Sequence, residues 1–211
     1  MRRIDIKNRK ETDVTDEALY ALFNSAYDQW RDNSLDYPFL HTSFERFRKF
    51  ISRSMVTVAI DTATGEPVGM RAIACFPQKH YAFDFFLSVA PEYKRQGIAT
   101  RLMEYEKETL RQQGYHYLTC TTSANAPWSV RWHHKMGYLL TGYHHSAEAN
   151  APTYSYRLQL VPSVLWGPTL GPLTARMSFA GSWIVNHVLK HSDGRDNFMG
   201  RIARKVIHKG H

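Results

Sequence analysis

The chain has 211 residues, 43% of them hydrophobic and 22% charged, with a formal net charge of +8. This composition excludes a disordered or collagen-like chain, and at this length roughly 70% of the unfolded surface can be buried. Two cysteines, Cys75 and Cys120, exclude a disulfide framework and set the expectation of a reducing, cytoplasmic compartment.

Taken in chain order, Arg3 to Asn8 alternate as a short opening strand. Asp13 or Thr15 can cap a helix in which Leu19, Leu22, Phe23, Ala26 and Trp30 recur at three- and four-residue steps. The stretch from Asn33 to Pro38 breaks it. A second helix starts near Ser43, with Phe44, Phe47, Phe50 and Ile51 on one face and Arg46, Arg48 and Lys49 on the other. Val56–Ile60 and Val68–Phe76 flank turn residues 61–66 and read as a hairpin. Tyr81–Val89 is a phenylalanine-rich strand running into a basic turn, Lys94-Arg95-Gln96-Gly97. A helix from Ile98 to Gln113 then ends at Gly114. Strand Tyr115–Thr122, a loop to Pro127, a short helix ending at Gly137 and two strands, Tyr138–His145 and Thr153–Leu160, complete a mixed sheet.

Beyond Leu160 the prolines and glycines of residues 162–172 read as a linker, followed by helices over 173–190 and 197–209. Residues 161–211 carry seven Lys/Arg against two Asp, so much of the positive charge sits there. Trp166, Phe179, Trp183 and Ile184 give this segment too much apolar area for a solvated tail. It is expected to dock on its own domain or on a partner subunit, which leaves a homodimer open. The expected organisation is a domain over 1–160 and a basic helical extension over 161–211. No targeting segment is read, because Asp5 and Lys7 interrupt any apolar run after Met1-Arg2-Arg3. Val56–Ile60 and Phe83–Ala90 fall short of the roughly 18 residues of a membrane span.

The chemistry-bearing segment runs from Phe83 to Gln113. A strand leading through a glycine turn into a helix presents unpaired N–H groups and a partial positive charge, which suit a phosphate. Gly97 and Ala99 keep the turn thin, and Lys94 and Arg95 add charge. The order Val89, Pro91-Glu92-Tyr93, Lys94-Arg95-Gln96-Gly97-Ile98-Ala99 resembles the acetyl-CoA loop of the GNAT superfamily of N-acetyltransferases. Lys94 stands where that loop has Gln or Arg. Trp132-His133-His134-Lys135-Met136-Gly137-Tyr138 is similar to the family's closing aromatic-Tyr-x-Lys-x-Gly-Phe/Tyr segment.

The resemblance spans residues 3–160 and implies an α/β fold: a mixed, mostly antiparallel sheet with a splayed cofactor cleft, flanked by helices. It implies acetyl-CoA as co-substrate, no metal, and direct transfer to a small-molecule or peptide amine. By resemblance, Leu87 and Val89 hold pantetheine through their backbones and polarise the thioester. Backbone N–H groups of Arg95, Gln96, Gly97, Ile98, Ala99 and Thr100 hold the pyrophosphate, beside Lys94, and Asn125 contacts the cofactor arm. His133 takes the position of the family's tyrosine and is read as the acid that protonates the leaving sulfur, with cofactor contact and core filler as competing readings. Asp84, the one carboxylate of its strand, is read as a candidate base or acceptor-binding group, with a buried, paired aspartate as the competing reading, and regular alternation points it away from the face of Val89. A bulge would reverse that. Trp30, Tyr37, Pro38 and Phe39 lie where the family builds its acceptor pocket, and equally suit the core.

Other classes stay open at this stage: a non-catalytic CoA-binding or nucleic-acid-associated regulator on the same scaffold, or a transferase of larger acyl groups. No aromatic-interleaved basic motif favours nucleic acid. Cysteine–histidine zinc spacing and a Gly-x-Ser-x-Gly elbow are both absent.

Overall fold

Apolar alternation builds seven strands, which the computed structural model joins into one sheet of order β1-β2-β3-β4-β5-β7-β6. The structure describes residues 3–28, 30, 38–146 and 151–161. The strands are β1 (Ile4–Asn8), β2 (Met55–Asp61), β3 (Pro67–Phe76), β4 (Tyr81–Val89), β5 (Tyr117–Ser123), β6 (Leu139–Ser146) and β7 (Ala151–Gln159). Helices α1 (Asp16–Ala26), α2 (Phe44–Ile51), α3 (Ile98–Gln112) and α4 (Pro127–Lys135) flank it. Every neighbouring pair is antiparallel except β4 and β5, which run parallel. The expected extension beyond Val161, with its helices and its docking, lies outside the described residues.

Helix starts follow the capping chemistry. Thr15 accepts from the Ala18 N–H at 3.2 Å, and Ser43 accepts from the Arg46 N–H at 3.4 Å. Helix α1 lays Leu19, Leu22, Phe23 and Ala26 onto the sheet, and α2 adds Phe47 and Ile51. The ring of Phe86 on β4 meets Phe23 at 5.2 Å and Phe47 at 6.0 Å, which fixes both helices over one face of β3 and β4. Truncating a ring as buried as Phe47 (1% exposed) costs about 3–5 kcal/mol. One boundary differs from expectation. Strand β5 begins at Tyr117, because the Tyr115 N–H caps α3 by donating to the Leu110 carbonyl.

Helix α3 covers the opposite face, packing on β1, β2, β3 and β4. Its first turn sits close because β3 carries Gly69 there. A Cβ on Gly69 would meet Ile98 Cγ2 at 2.8 Å and Leu102 at 3.2 Å. Beneath α3 the apolar layer holds one polar knot. Arg71 is fully buried and donates through Nε (3.2 Å) and Nη2 (2.6 Å) to Asp84 Oδ2, and through Nη2 to the Tyr138 hydroxyl at 2.9 Å. Its Nη1 lies 3.0 Å from Glu106 Oε2 on α3. Burial pushes the Glu106 carboxyl up to about 8, outweighing the pull of Arg71. At neutral pH Glu106 therefore keeps its proton, and Arg71 and Asp84 compensate each other.

Candidate active site

The parallel pairing of β4 and β5 stops at Asp84↔Cys120, yet β4 continues to Val89 and β5 to Ser123. The strands part there. The cause is a bulge: Ala72 of β3 faces Phe86 and Ile73 faces Asp84, leaving Phe85 unopposed. The extra residue reverses the alternation. Gly69, Arg71 and Ile73 share the α3 face of β3, so their partners Val89, Leu87 and Asp84 share it too.

The bulge thus returns Asp84 to the side of Leu87 and Val89. Its carboxylate is 6% exposed and accepts two hydrogen bonds from Arg71, which is the buried, paired aspartate of the competing reading. Its hydrogen bonds direct it to Arg71, and removing one partner of such a buried pair is costly.

At the far end of β4, Pro91–Tyr93 form one 3-10 turn, and the next three residues swing the chain into α3. Arg95 has φ 63° and Gly97 has φ 80°, so the backbone is left-handed on both sides of Gln96. Gly97 is the N-cap of α3, and no side chain caps that helix. The intrahelical bonds begin with the Arg101 N–H on the Gly97 carbonyl at 3.0 Å. The N–H groups of Ile98, Ala99 and Thr100 therefore point out of the first turn. A Cβ built on Gly97 meets nothing within 4 Å, so open space lies over the turn.

Three side chains brace this loop. The Tyr93 hydroxyl donates to Asp61 Oδ2 at 2.8 Å, Lys94 Nζ donates to the Ala26 carbonyl at 3.3 Å, and Gln96 Nε2 donates to the Glu92 carbonyl at 3.0 Å. Lys94 was expected as a cofactor contact. The structure seats its ammonium at the C-terminus of α1, where the helix dipole favours it. Arg95 is exposed and makes no hydrogen bond or ion pair among the described residues.

Asn125 follows β5, its N–H held by Ser123 Oγ at 3.0 Å and its side chain exposed. Gly97 and Asn125 thus stand at the C-terminal ends of two parallel, diverging strands, each leading into a helix. Open α/β sheets bind ligands in such crevices.

His133 is placed by α4. Its Nδ1 lies 2.8 Å from the Ser129 carbonyl, which only accepts, so Nδ1 carries the proton and Nε2 keeps a lone pair. The ring stacks on Tyr156 at 5.1 Å and 8°, and meets Tyr138 edge-on at 5.1 Å. At 8% exposure, burial lowers its pKa below 6.5 despite the Ser129 bond. Burial thus favours the neutral ring, which weakens it as the acid suggested by the sequence and leaves an Nε2 lone pair that can accept a proton.

Tyr27, just past α1, was not foreseen. It is buried, and its hydroxyl donates to the Leu87 carbonyl at 3.3 Å, tying α1 to the open half of β4. Burial and the nearby Asp84 charge raise its pKa, so it stays a donor. In the sequence it continues the stripe of Phe23 and reads as one more core aromatic. Trp30 packs edge-on against Trp128 of α4 at 5.8 Å. Tyr37 and the side chains of Pro38 and Phe39 lie outside what is described.

A mixed sheet that parts beside an uncapped helix start defines an α/β protein with an open crevice at its strand ends. Comparison with known families narrows this. The model described as "Acetyltransferase (GNAT) family" matches residues 17–138, more than half of the chain, and the chain belongs to that family. A search of curated proteins gives no match. Among solved structures, Ard1 from Thermoplasma volcanium superposes with TM-score 0.60 at 13% identity, over 75% of this chain and 99% of its own. The ribosomal-protein-S18-alanine N-acetyltransferase from Escherichia coli gives 0.59 at 16% identity, over 79% and 100%. A NatC complex bound to Gag peptide and CoA gives 0.61 at 16% identity, over 75% and 99%. At these identities the likeness shows the shared fold. Among the described residues no cluster of three or more His, Cys, Asp or Glu is placed to hold a metal, and no helix is long and apolar enough to cross a membrane.

Proposed function

We propose that the protein transfers an acetyl group from acetyl-CoA directly to a primary amine. The observation that carries this reading is the parting of β4 from β5 beside the uncapped, unobstructed start of α3. The residues present fit the cofactor. The N–H groups of Gly97 to Thr100 and the side chain of Arg95 suit a pyrophosphate, the backbones of Leu87 and Val89 offer a strand edge for pantetheine, and Asn125 faces the same mouth. When bound, acetyl-CoA supplies an activated acetyl carbon.

The chain's own residues manage the proton. An alkylamine titrates near about 10.4, so it arrives charged and attacks only after losing a proton. The Nε2 lone pair of His133 is the acceptor for it, directly or through water. A proton taken there is one the ring can release once the amide has formed. This reconciles a neutral resting imidazole with the donor role implied by the family's tyrosine.

The test is amine-dependent release of free thiol from acetyl-CoA, read against pH. Wild type should release thiol with an acceptor and not without. Loss of the ring proton falls below pH 6.5, so any limb due to His133 ascends there. His133→Phe should lower kcat by roughly 10²–10⁴-fold, the usual worth of a positioned proton acceptor. A wild-type rate that descends from pH 6.5 upward would show a resting acid instead, and thiol release indifferent to every amine would overturn the reading.

A further inference from the structure

Under the C-terminal half of α2 lies a cleft of about 410 Å³, lined by Arg46, Lys49, Phe50, Arg53, Ser54, Ala74 and Phe85. That volume suits a small molecule. The three cations are spaced i, i+3 and i+7, which aligns them in one stripe along α2 and the turn that follows it. All three are exposed, none has a hydrogen bond or ion pair through its side chain among the described residues, and no acidic residue lines the cleft. A cation in the last turn of a helix complements its dipole, which accounts for Lys49. It does not account for Arg46, in the first turn, on the same stripe.

The opposite wall is aromatic. Phe85 is 49% exposed, and its ring stands edge-on to Phe50 at 4.3 Å. Phe85 is also the bulged residue immediately past the last β4–β5 pair, Asp84↔Cys120. The cleft therefore abuts the point where the strands part, on the side of α2, across the sheet from α3. The lining sets an exposed phenylalanine, edge-on to Phe50 and to Phe83 at 4.9 Å, beside guanidinium and ammonium groups that make no ion pair among the described residues. It matches a ligand that has a flat apolar body and a terminal oxyanion.

We infer that this cleft is the acceptor subsite, and that the acceptor is a small primary amine whose apolar body carries a carboxylate or phosphate bound by Arg46, Lys49 and Arg53. The inference rests on the acetyl-transfer reading above and adds the class of acceptor. Arginine suits the planar, two-pronged contact and lysine the point charge.

The experiment compares three amines of one skeleton: phenethylamine, 4-(2-aminoethyl)benzoate and 4-(2-aminoethyl)phenyl phosphate. Thiol release from acetyl-CoA gives kcat/KM for each. One of the oxyanion members should exceed phenethylamine by at least roughly tenfold, the worth of one hydrogen bond to a charged group, and whichever leads identifies the anion. In the combined variant Arg46→Gln, Lys49→Gln, Arg53→Gln, all exposed positions, that preference should fall to within about twofold. Calorimetric titration of phenyl phosphate gives a readout free of turnover, and its binding should weaken in the same variant. Thiol release without preference, or a preference that survives in the variant, overturns this inference and leaves acetyl transfer standing. Binding of phenyl phosphate that is lost in the variant, with no thiol release from any amine, supports the anion site and overturns the transfer reading. Phenyl phosphate binding unchanged in the variant overturns the site itself.

Discussion

Along β4, Tyr81–Asp84 pair with β3 on one side and β5 on the other, whereas, past the bulge at Phe85, Phe86–Val89 pair with β3 alone among the described strands. The first half is closed over the ion pair of Arg71 and Asp84, with Glu106 and Tyr138 against it. The second half leaves one backbone edge open and ends at an uncapped helix. Asp84 sits at the junction and belongs to the closed half. The comparison teaches that the face a carboxylate shares does not by itself set its role, because its hydrogen-bond partners decide what it can do.

The division can be broken most severely at that junction. Asp84→Ala leaves the buried Arg71 guanidinium with only Glu106, 3.0 Å away and disfavoured from ionising by burial, to balance it, which should cost about 3–5 kcal/mol of stability. Thermal or urea denaturation would show it. A variant of unchanged stability whose turnover alone collapses would return Asp84 to the catalytic machinery.

A milder change moves the open half against the closed one. Gly69→Ala places a methyl 2.8 Å from Ile98 Cγ2, a branched side chain with little freedom to yield. The first turn of α3 must shift, at about 1–3 kcal/mol. CoA affinity should fall with stability. If stability falls and affinity holds, the position of that turn does not govern the site.

The smallest effect per step, at most about 1.4 kcal/mol for each pH unit, sharpens the electrostatics of the closed half. Folded Glu106 titrates at about 8, against 4.5 for the unfolded group. Between those values the unfolded chain has lost a proton that the folded one keeps. The stabilising contribution is therefore whole below pH 4.5 and is lost as pH rises through 8. Melting temperature should decline over that window in wild type, and Glu106→Gln should flatten the decline. Parallel slopes in both would mean that Glu106 is already ionised in the fold.

Much of this was legible in the sequence. The caps at Thr15 and Ser43, the phenylalanine stripe of α2 and the glycine turn before α3 obey local rules that need no tertiary knowledge. The family resemblance singled out Gly97, Asn125 and His133, of which the fold sets the first two at the ends of the diverging parallel strands and the third on α4. What escaped is what depends on pairing. The bulge at Phe85 exists only in register with Ala72 and Ile73, so alternation alone pointed Asp84 the wrong way. Arg71 lies in an apolar run with no hint that three partners converge on it. The seat of Lys94 at the end of α1, and the burial and tautomer of His133, depend on contacts across the fold that the sequence does not show.

The central claim is that the open half of β4 and the Gly97 turn form a cofactor site. Calorimetric titration of CoA into the full chain, wild type and Gly97→Glu, tests it most directly. The glutamate puts bulk and negative charge into the open space over the turn, at a backbone φ of 80° that side chains other than glycine rarely adopt. Binding to wild type and its loss in a still-folded Gly97→Glu is the predicted result. Equal binding to both proteins would place the cofactor elsewhere and contradict the account.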